Sequence, residues 1–239
     1  MGSANFGRQM SARDRVKIAR RRTVHIDDFV NALIDSTLAA NGSAASSAVS
    51  AGTDYFGTFG LSTGTTLVDP NQRSGISTNS SFQCVMTGAG PLVYEADFIL
   101  SATPTATEDY SFRAGFFDTN LRSTIVAGIF LEVEYASGTA ARYSLITRQN
   151  STETRTILTG TPDTNRHHVT IRVDAAGGNV YADIDGVQVG TTTLNIPTGN
   201  GTTQDMGYGY VIEKTVGTGV NVTCKCDRVA CGQDFTTAR

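Results

Sequence analysis

From Tyr55 onward the apolar residues of this chain alternate with polar ones in short runs separated by turn residues, and that pattern restricts the fold more than any other feature. A period of two places successive side chains on opposite faces of a strand. Such runs cover residues 81–87, 92–100, 110–117, 125–135, 142–147 and 155–158. Val169, Ile171 and Val173 then share one face, Ala175-Ala176-Gly177-Gly178 turns the chain, and a run over 180–185 completes a hairpin signature. Asp185-Gly186 makes a second tight turn into 187–190, and 220–226 supplies a late strand. About a dozen short strands follow, enough for a two-sheet jelly roll. With 25 Gly in 239 residues and no Trp, the composition favours strands joined by polar turns over a helical bundle. The fold class is all-β, with one folded core.

Ahead of Tyr55 the pattern differs. Ile26, Phe29, Val30, Leu33, Ile34 and Leu38 recur at three- and four-residue spacing, with Asp27 and Asp28 near the start and Asn41-Gly42 at the end. This predicts one amphipathic helix over 26–38, followed by a Ser/Ala/Gly linker over 42–52. Charge is also uneven: residues 1–26 hold seven Lys/Arg against Asp14, a net +6, while the other 12 Lys/Arg face 21 acids, a net −9. The expected division is a basic arm, helix and linker over 1–50 and a sandwich over 51–239. Such an arm suits an acidic protein surface, with Arg13, Arg15, Arg20, Arg21 and Arg22 making charge-assisted contacts and Phe29, Leu33 and Ile34 burying the helical stripe among subunits. A solvated tail without a partner has the same composition. No aromatic interleaving or reader motif accompanies Arg20-Arg21-Arg22, so nucleic acid is not expected as a partner. No run of about 18 apolar residues exists, so no helical membrane span is expected, and residues 1–22 are too basic for a signal-peptide apolar region.

Several segments carry a family likeness. The run His168-Val169-Thr170-Ile171-Arg172-Val173-Asp174, a Gly-Gly turn, Val180-Tyr181-Ala182-Asp183-Ile184-Asp185-Gly186-Val187 and Asn195-Ile196-Pro197-Thr198-Gly199 resembles the back half of concanavalin A-like lectin/glucanase domains. Gly90-Pro91-Leu92-Val93-Tyr94-Glu95-Ala96-Asp97-Phe98 and Tyr110-Ser111-Phe112-Arg113-Ala114-Gly115-Phe116 are similar to the front strands of the versions found in structural proteins of tailed bacteriophages. The likeness spans residues 55–235 by pattern rather than by a strict motif. It implies a concanavalin A-like two-sheet jelly-roll sandwich and a virion structural protein, assembled in the host cytoplasm.

Candidate chemistry is sparse. Glu132 and Glu134 share a face of one strand, as a glycosidase pair requires. Laminarinase-like members of the resembled family carry Glu-x-Asp-x-(x)-Glu, whereas Tyr135-Ala136-Ser137 follows here and the third acid is missing. In the absence of Trp, Tyr94, Tyr135 and Tyr143 could stack on a sugar instead, and Tyr94 and Tyr135 are the candidate glycan contacts. Glu95, Asp97, Asp183 and Asp185 offer oxygen ligands of the kind calcium takes, but no dense Asp/Asn loop gathers them. Cys224 and Cys226 continue the alternation of Val220 and Val222 toward the core, so with Cys84 and Cys231 they read as buried thiols before disulfides or zinc ligands. The pair His167-His168 is expected at a turn, and no nucleophile, histidine and acid can be assembled with His25 as the one further histidine. No catalytic residue, metal or cofactor is expected.

Three functions remain in view. The first is a decoration or cement protein whose arms clamp neighbouring major-capsid subunits, as a homo-oligomer for which lattice symmetry favours a trimer. The second is a tail or fibre component that recognises a host glycan. The third is a polysaccharide hydrolase using Glu132 and Glu134.

Overall fold

The computed structural model describes residues 22–27, 38–42, 48–50, 58–63, 73–78, 87–119, 121–136, 140–198, 206–217 and 219–234. In chain order the strands are β1 (Arg22–Asp27), β2 (Leu38–Gly42), β3 (Ala48–Ser50), β4 (Thr58–Ser62), β5 (Arg73–Thr78), β6 (Leu92–Leu100), β7 (Tyr110–Phe117), β8 (Gly128–Tyr135), β9 (Ala141–Gln149), β10 (Thr152–Ile157), β11 (Arg166–Val173), β12 (Val180–Ile184), β13 (Val187–Thr192), β14 (Gly207–Lys214) and β15 (Thr223–Asp234). They form an eight-stranded sheet in the order β13-β12-β11-β6-β15-β4-β3, with β1 also paired to β15, and a seven-stranded sheet in the order β10-β9-β8-β7-β14-β5-β2. Strands adjacent in space are often distant in sequence, β6 lying between β11 and β15, as in a jelly roll. The class is all-β, in two antiparallel sheets.

Alternation decides which face is buried. Leu92, Tyr94, Ala96, Phe98 and Leu100 of β6 are each at most 1% exposed and face Phe112, Ala114 and Phe116 of β7 and Tyr208, Tyr210 and Ile212 of β14. Phe98 and Phe112 rings lie 4.6 Å apart, and Tyr94 meets Phe116 edge-on at 5.6 Å. Tyr94 also donates its hydroxyl hydrogen bond to the Gly209 carbonyl at 2.8 Å, tying the sheets through a polar contact inside the core. In β15, Cys224 and Cys226 point inward, a bulge between Cys226 and Arg228 inserts one residue, and Val229, Cys231 and Gln233 take over the inward face. Cys224, Cys226 and Cys231 are all buried, the first two with their sulfurs 3.5 Å apart; Cys84 lies outside the described residues.

Two backbone positions need particular residues. Gly115 in β7 has φ 149°, and a Cβ there would stand 2.5 Å from the Ile129 carbonyl oxygen of β8. Asp185 and Gly186 have φ 54° and 79°, the two left-handed residues that a tight turn between β12 and β13 requires.

The N-terminal expectation is corrected at both of its ends. Ile26 and Asp27 belong to β1, whose residues pair in register with β15 from Arg22 opposite Asp234 to Asp27 opposite Val229. Leu38 opens β2, which pairs with β5, and Ala48–Ser50 within the expected linker form β3 beside β4. Sheet pairing over long sequence separation overrides the local three-and-four spacing. Phe29, Leu33 and Ile34 lie outside the described residues, as do Arg13, Arg15, Arg20 and Arg21.

Candidate functional site

Glu132 and Glu134 do share a face of β8, and it is the face turned away from the core. Opposite them across the ladders stand Arg113 of β7 and Arg142 and Ser144 of β9, with Arg155 and Glu153 on the neighbouring β10. A segment crossing this face, residues 121–127, supplies Arg122 from above. Its Nε donates to Glu132 Oε1 at 2.8 Å and its Nη2 to Glu153 Oε2 at 2.7 Å, while its backbone N–H reaches Glu213 Oε2 at 3.3 Å. Arg155 Nη2 donates to the other oxygen of Glu132 at 2.9 Å, and Arg155 Nη1 pairs with Glu134. Arg142 holds Glu134 through Nε and Nη2 at 3.0 and 2.9 Å. Arg113 closes the network on Glu213 at 2.5 Å.

Burial makes these pairs consequential. Burial pulls the Arg113 guanidinium below its ordinary range, Glu213 and Glu132 opposing that pull. Glu153 is pushed up by burial, yet Arg122 and Arg155 hold it below the usual carboxylate range. Beside the charges, Ile125 of the crossing segment packs with Phe117, Phe130, Ile146 and Val211 in a second apolar cluster. The segment is fastened where Val126 and Ala127 donate backbone hydrogen bonds to Asp118 Oδ2 at 3.0 and 3.1 Å. A glycosidase needs one carboxyl that gives up a proton and another that meets the sugar. Both oxygens of Glu132 are instead saturated by guanidinium groups, and only 2% of the residue is exposed.

The outer face of the eight-stranded sheet gathers three of the other expected acids, each beside a basic side chain, while Asp185 sits in the turn between β12 and β13. Glu95 pairs with Arg228 at 2.7 Å, and Asp183 accepts from Arg172 Nε and Nη2 at 3.0 Å each. Asp97 Oδ1 meets His168 Nδ1 at 2.9 Å and Asp97 Oδ2 meets Arg166 at 3.3 Å; Arg166 also reaches Asp227 at 2.5 Å. No group of three or more His, Cys, Asp or Glu side chains converges on a metal position among the described residues.

The histidine pair sits within β11 rather than at a turn, so its members face opposite ways. His167 turns inward against Phe98 and Tyr143, and its ring nitrogens meet Asp185 Oδ2 at 2.8 Å and Asp163 Oδ1 at 3.0 Å. His168 turns outward, pairs with Asp97 across the ladder, and presents Nε2 to Thr170 Oγ1 at 3.2 Å. The acid, imidazole and hydroxyl that sequence reading did not assemble are thus in line. Asp97 belongs to β6, so only the pairing of β6 with β11 brings it opposite His168. The hydrogen bond and charge of Asp97 raise His168 above the ordinary histidine range despite partial burial. Burial opposes the reciprocal effect, but His168 and then Arg166 hold Asp97 below the usual carboxylate range.

The two aromatic candidates separate. Tyr94 is fully buried in the core and corrects the expectation of a glycan contact there, because both faces of its ring are covered by the sandwich. Tyr135 ends β8 half-buried, and Tyr143 is buried beside His167. Of the arm residues named above, Arg22 alone is described, at the start of β1.

No protein-family model matches the chain, and no curated protein matches it. Solved structures do. A protein of unknown function from Shewanella oneidensis MR-1 aligns over 97% of this chain and 97% of its own, at 13% identity and a TM-score of 0.63. A GH16 protein of a Bacteroides ovatus mixed linkage glucan locus, solved with a product, aligns over 87% of this chain and 99% of its own, at 15% identity and a TM-score of 0.60. A carbohydrate esterase from the Shiga toxin-encoding bacteriophage phi24B aligns over 88% and 100%, at 13% identity and a TM-score of 0.51. At these identities the likeness is one of fold: the chain is a jelly-roll β-sandwich of the kind that glucanases and a phage esterase share.

Proposed function

We propose that the chain is a structural protein of a bacteriophage virion, in which the sandwich serves as a decoration or cement module and not as a glycosidase. One observation carries the reading: the carboxylates offered for glycoside hydrolysis or ion binding, Glu95, Asp97, Glu132, Glu134 and Asp183, are each paired with arginine or histidine. A sandwich whose acids are spent on its own arginines suits adhesion. The resemblance of its strands to phage structural domains, and the phage origin of one fold neighbour, favour the virion. Residues 1–21 hold six Lys/Arg against Asp14 and supply the charge that grips an acidic surface of the major capsid protein, several copies reinforcing one another in a homo-oligomer, a trimer by lattice symmetry.

The test is location and dependence. Immunogold labelling of intact virions is expected over the head, and deletion of residues 1–21, which leaves β1 in place, is expected to abolish incorporation. Gold at the tail moves the reading to a tail or fibre component, for which Tyr135 is the remaining aromatic candidate and a Tyr135→Ala loss of glycan binding the check. Absence from particles overturns the virion reading. New reducing ends from β-glucans or host envelope polysaccharide would restore the hydrolase.

A further inference from the structure

On the outer face of the eight-stranded sheet, Asp97, His168 and Thr170 stand in hydrogen-bonding line at 2.9 and 3.2 Å. Three features set this group apart from ordinary surface polar contacts. Arg166, itself braced by Asp227, meets the far oxygen of Asp97 and fixes the carboxylate from behind. The carboxylates flanking Thr170 across both ladders, Glu95 and Asp183, are neutralised by Arg228 and Arg172, so the hydroxyl does not face bare negative charge. The His168 side chain keeps 35% of its surface and Thr170 is half-buried, so the group borders solvent. The geometry is the acid-oriented base next to a nucleophile that acyl transfer uses on unrelated folds.

We propose that Asp97, His168 and Thr170 form a nucleophilic centre that takes short acyl groups from esters. Asp97 accepts the Nδ1 proton of His168 in a hydrogen bond, which leaves the lone pair on Nε2 facing Thr170. As Thr170 Oγ1 attacks the ester carbonyl carbon, its proton passes to Nε2. The tetrahedral centre then expels the alcohol, whose oxygen takes that proton back from Nε2, and the acyl group remains on Thr170 as a new ester. Water attacks this ester with Nε2 again accepting the proton. The bond from the acyl carbon to Thr170 Oγ1 then breaks, Oγ1 takes that proton from Nε2 to restore the hydroxyl, and the carboxylic acid departs.

The same geometry sets the limits of the activity. The His168 backbone N–H donates to Asp185 Oδ1 at 2.8 Å and Thr170 lies within ladders with β6 and β12, so no backbone oxyanion hole is formed at Thr170. The cation available is Arg172, two residues further on the same face, whose Nη1 has no hydrogen-bond partner among the described residues. A face lined by charged pairs also gives a long acyl chain little apolar surface to bury against. The substrate class is therefore a small acyl ester such as an acetyl ester, turned over slowly, with the acyl-threonine accumulating. This centre lies on the opposite sheet from Glu132 and does not depend on the virion reading.

The experiment uses the full chain and p-nitrophenyl acetate. Release of p-nitrophenolate is followed with pH, and the acetyl adduct is mapped by peptide mass spectrometry. The adduct is expected on Thr170, with a rate that climbs as His168 loses its proton. His168→Gln and Thr170→Val are expected to lose the adduct and roughly 100-fold in rate, in the range of a lost general base. Asp97→Asn keeps the hydroxyl but loses the orientation of the ring, and is expected to slow acylation while an adduct still forms at Thr170. Thr170→Ser, which keeps the hydroxyl, is expected to retain the adduct, and this guards against a Val variant that simply unfolds. An adduct confined to lysines or the N-terminal amine, or a Thr170→Val protein that matches the parent, overturns the proposal.

Discussion

On the seven-stranded sheet Arg113 and Glu132 keep 1% and 2% of their surface, whereas on the eight-stranded sheet the side chains of Arg172 and Arg166 keep 44% and 43%. Both outer faces are lined by arginine–carboxylate pairs, so counting pairs makes them look equivalent. Their energetics are opposite. A charge pair removed from water has paid desolvation and is costly to break, while an exposed pair gains little because water and salt compete with it. The covered face is therefore structural: it fixes where the segment 121–127 lies. The exposed arginine pairs of the open face contribute little to folding, and that is why chemistry or partner contact is to be sought there.

The largest effect that sharpens this contrast comes from splitting the buried pair. Arg113→Met leaves Glu213 without its principal cation and is expected to cost about 3–5 kcal/mol. Adding Glu213→Leu removes the orphaned charge and is expected to recover most of that loss, as measured by urea unfolding of the two variants. A single variant as stable as the parent would break the contrast. Next in size, Arg122→Ala removes charged hydrogen bonds from Glu132 and Glu153, at a cost of about 2 kcal/mol. Because Arg122 bridges the crossing segment to the sheet, hydrogen exchange at the Val126 and Ala127 amides is expected to quicken in this variant. Glu95→Gln or Arg172→Ala on the open face is expected to change stability by less than about 1 kcal/mol. A loss as large as that of Arg113→Met would show that the two faces do not differ as described.

How far sequence carried the fold can be read in β15. Cys224 and Cys226 continue an alternation begun at Val220 and Val222, and both do point into the core. The strand runs on to Asp234, but the bulge after Cys226 shifts the inward set from even to odd positions, and a strict period of two ends there. The strand over Gly207–Lys214 was invisible for a related reason. Glycines alternate with tyrosines at its start, Glu213 and Lys214 close it, and only pairing with β5 and β7 and the buried partners of those charges make it a strand. At the amino end the spacing of Ile26, Leu33 and Leu38 pointed to a helix, while β1 and β2 are set by partners about 200 and 35 residues away in sequence. The site was legible to the same extent. Glu132 and Glu134 on one face is a property of one strand, but the arginines that occupy them come from β9, β10 and the crossing segment. Likewise His168 and Thr170 share a strand, and Asp97 joins them only through the register of β6.

The smallest expected effect is the pH dependence of the open face. His168 is raised above its ordinary value of about 6.5, so it stabilises the fold fully below that pH and loses the contribution as pH climbs through the raised folded value. Asp97 is lowered from about 3.9, so its contribution is present above that pH and is lost as pH falls through the lower folded value. The pair is therefore worth most between roughly pH 4 and 6.5 and weakens on the alkaline side first. With His168 about one-third exposed, screening keeps the whole effect below about 1 kcal/mol. The groups facing His168 are Asp97 and Glu95 on β6, Arg228 on β15 and Thr170 on its own strand, and all remain in His168→Gln. His167 with Asp163 and Asp185 also remains. The difference in unfolding free energy between parent and variant, taken by urea titration from about pH 5 to about pH 9 and so through the raised folded value, therefore isolates His168. A difference that shrinks as pH rises fits an imidazolium held by Asp97. A flat difference means that His168 contributes packing alone, and the acid-oriented base on the open face loses its electrostatic footing.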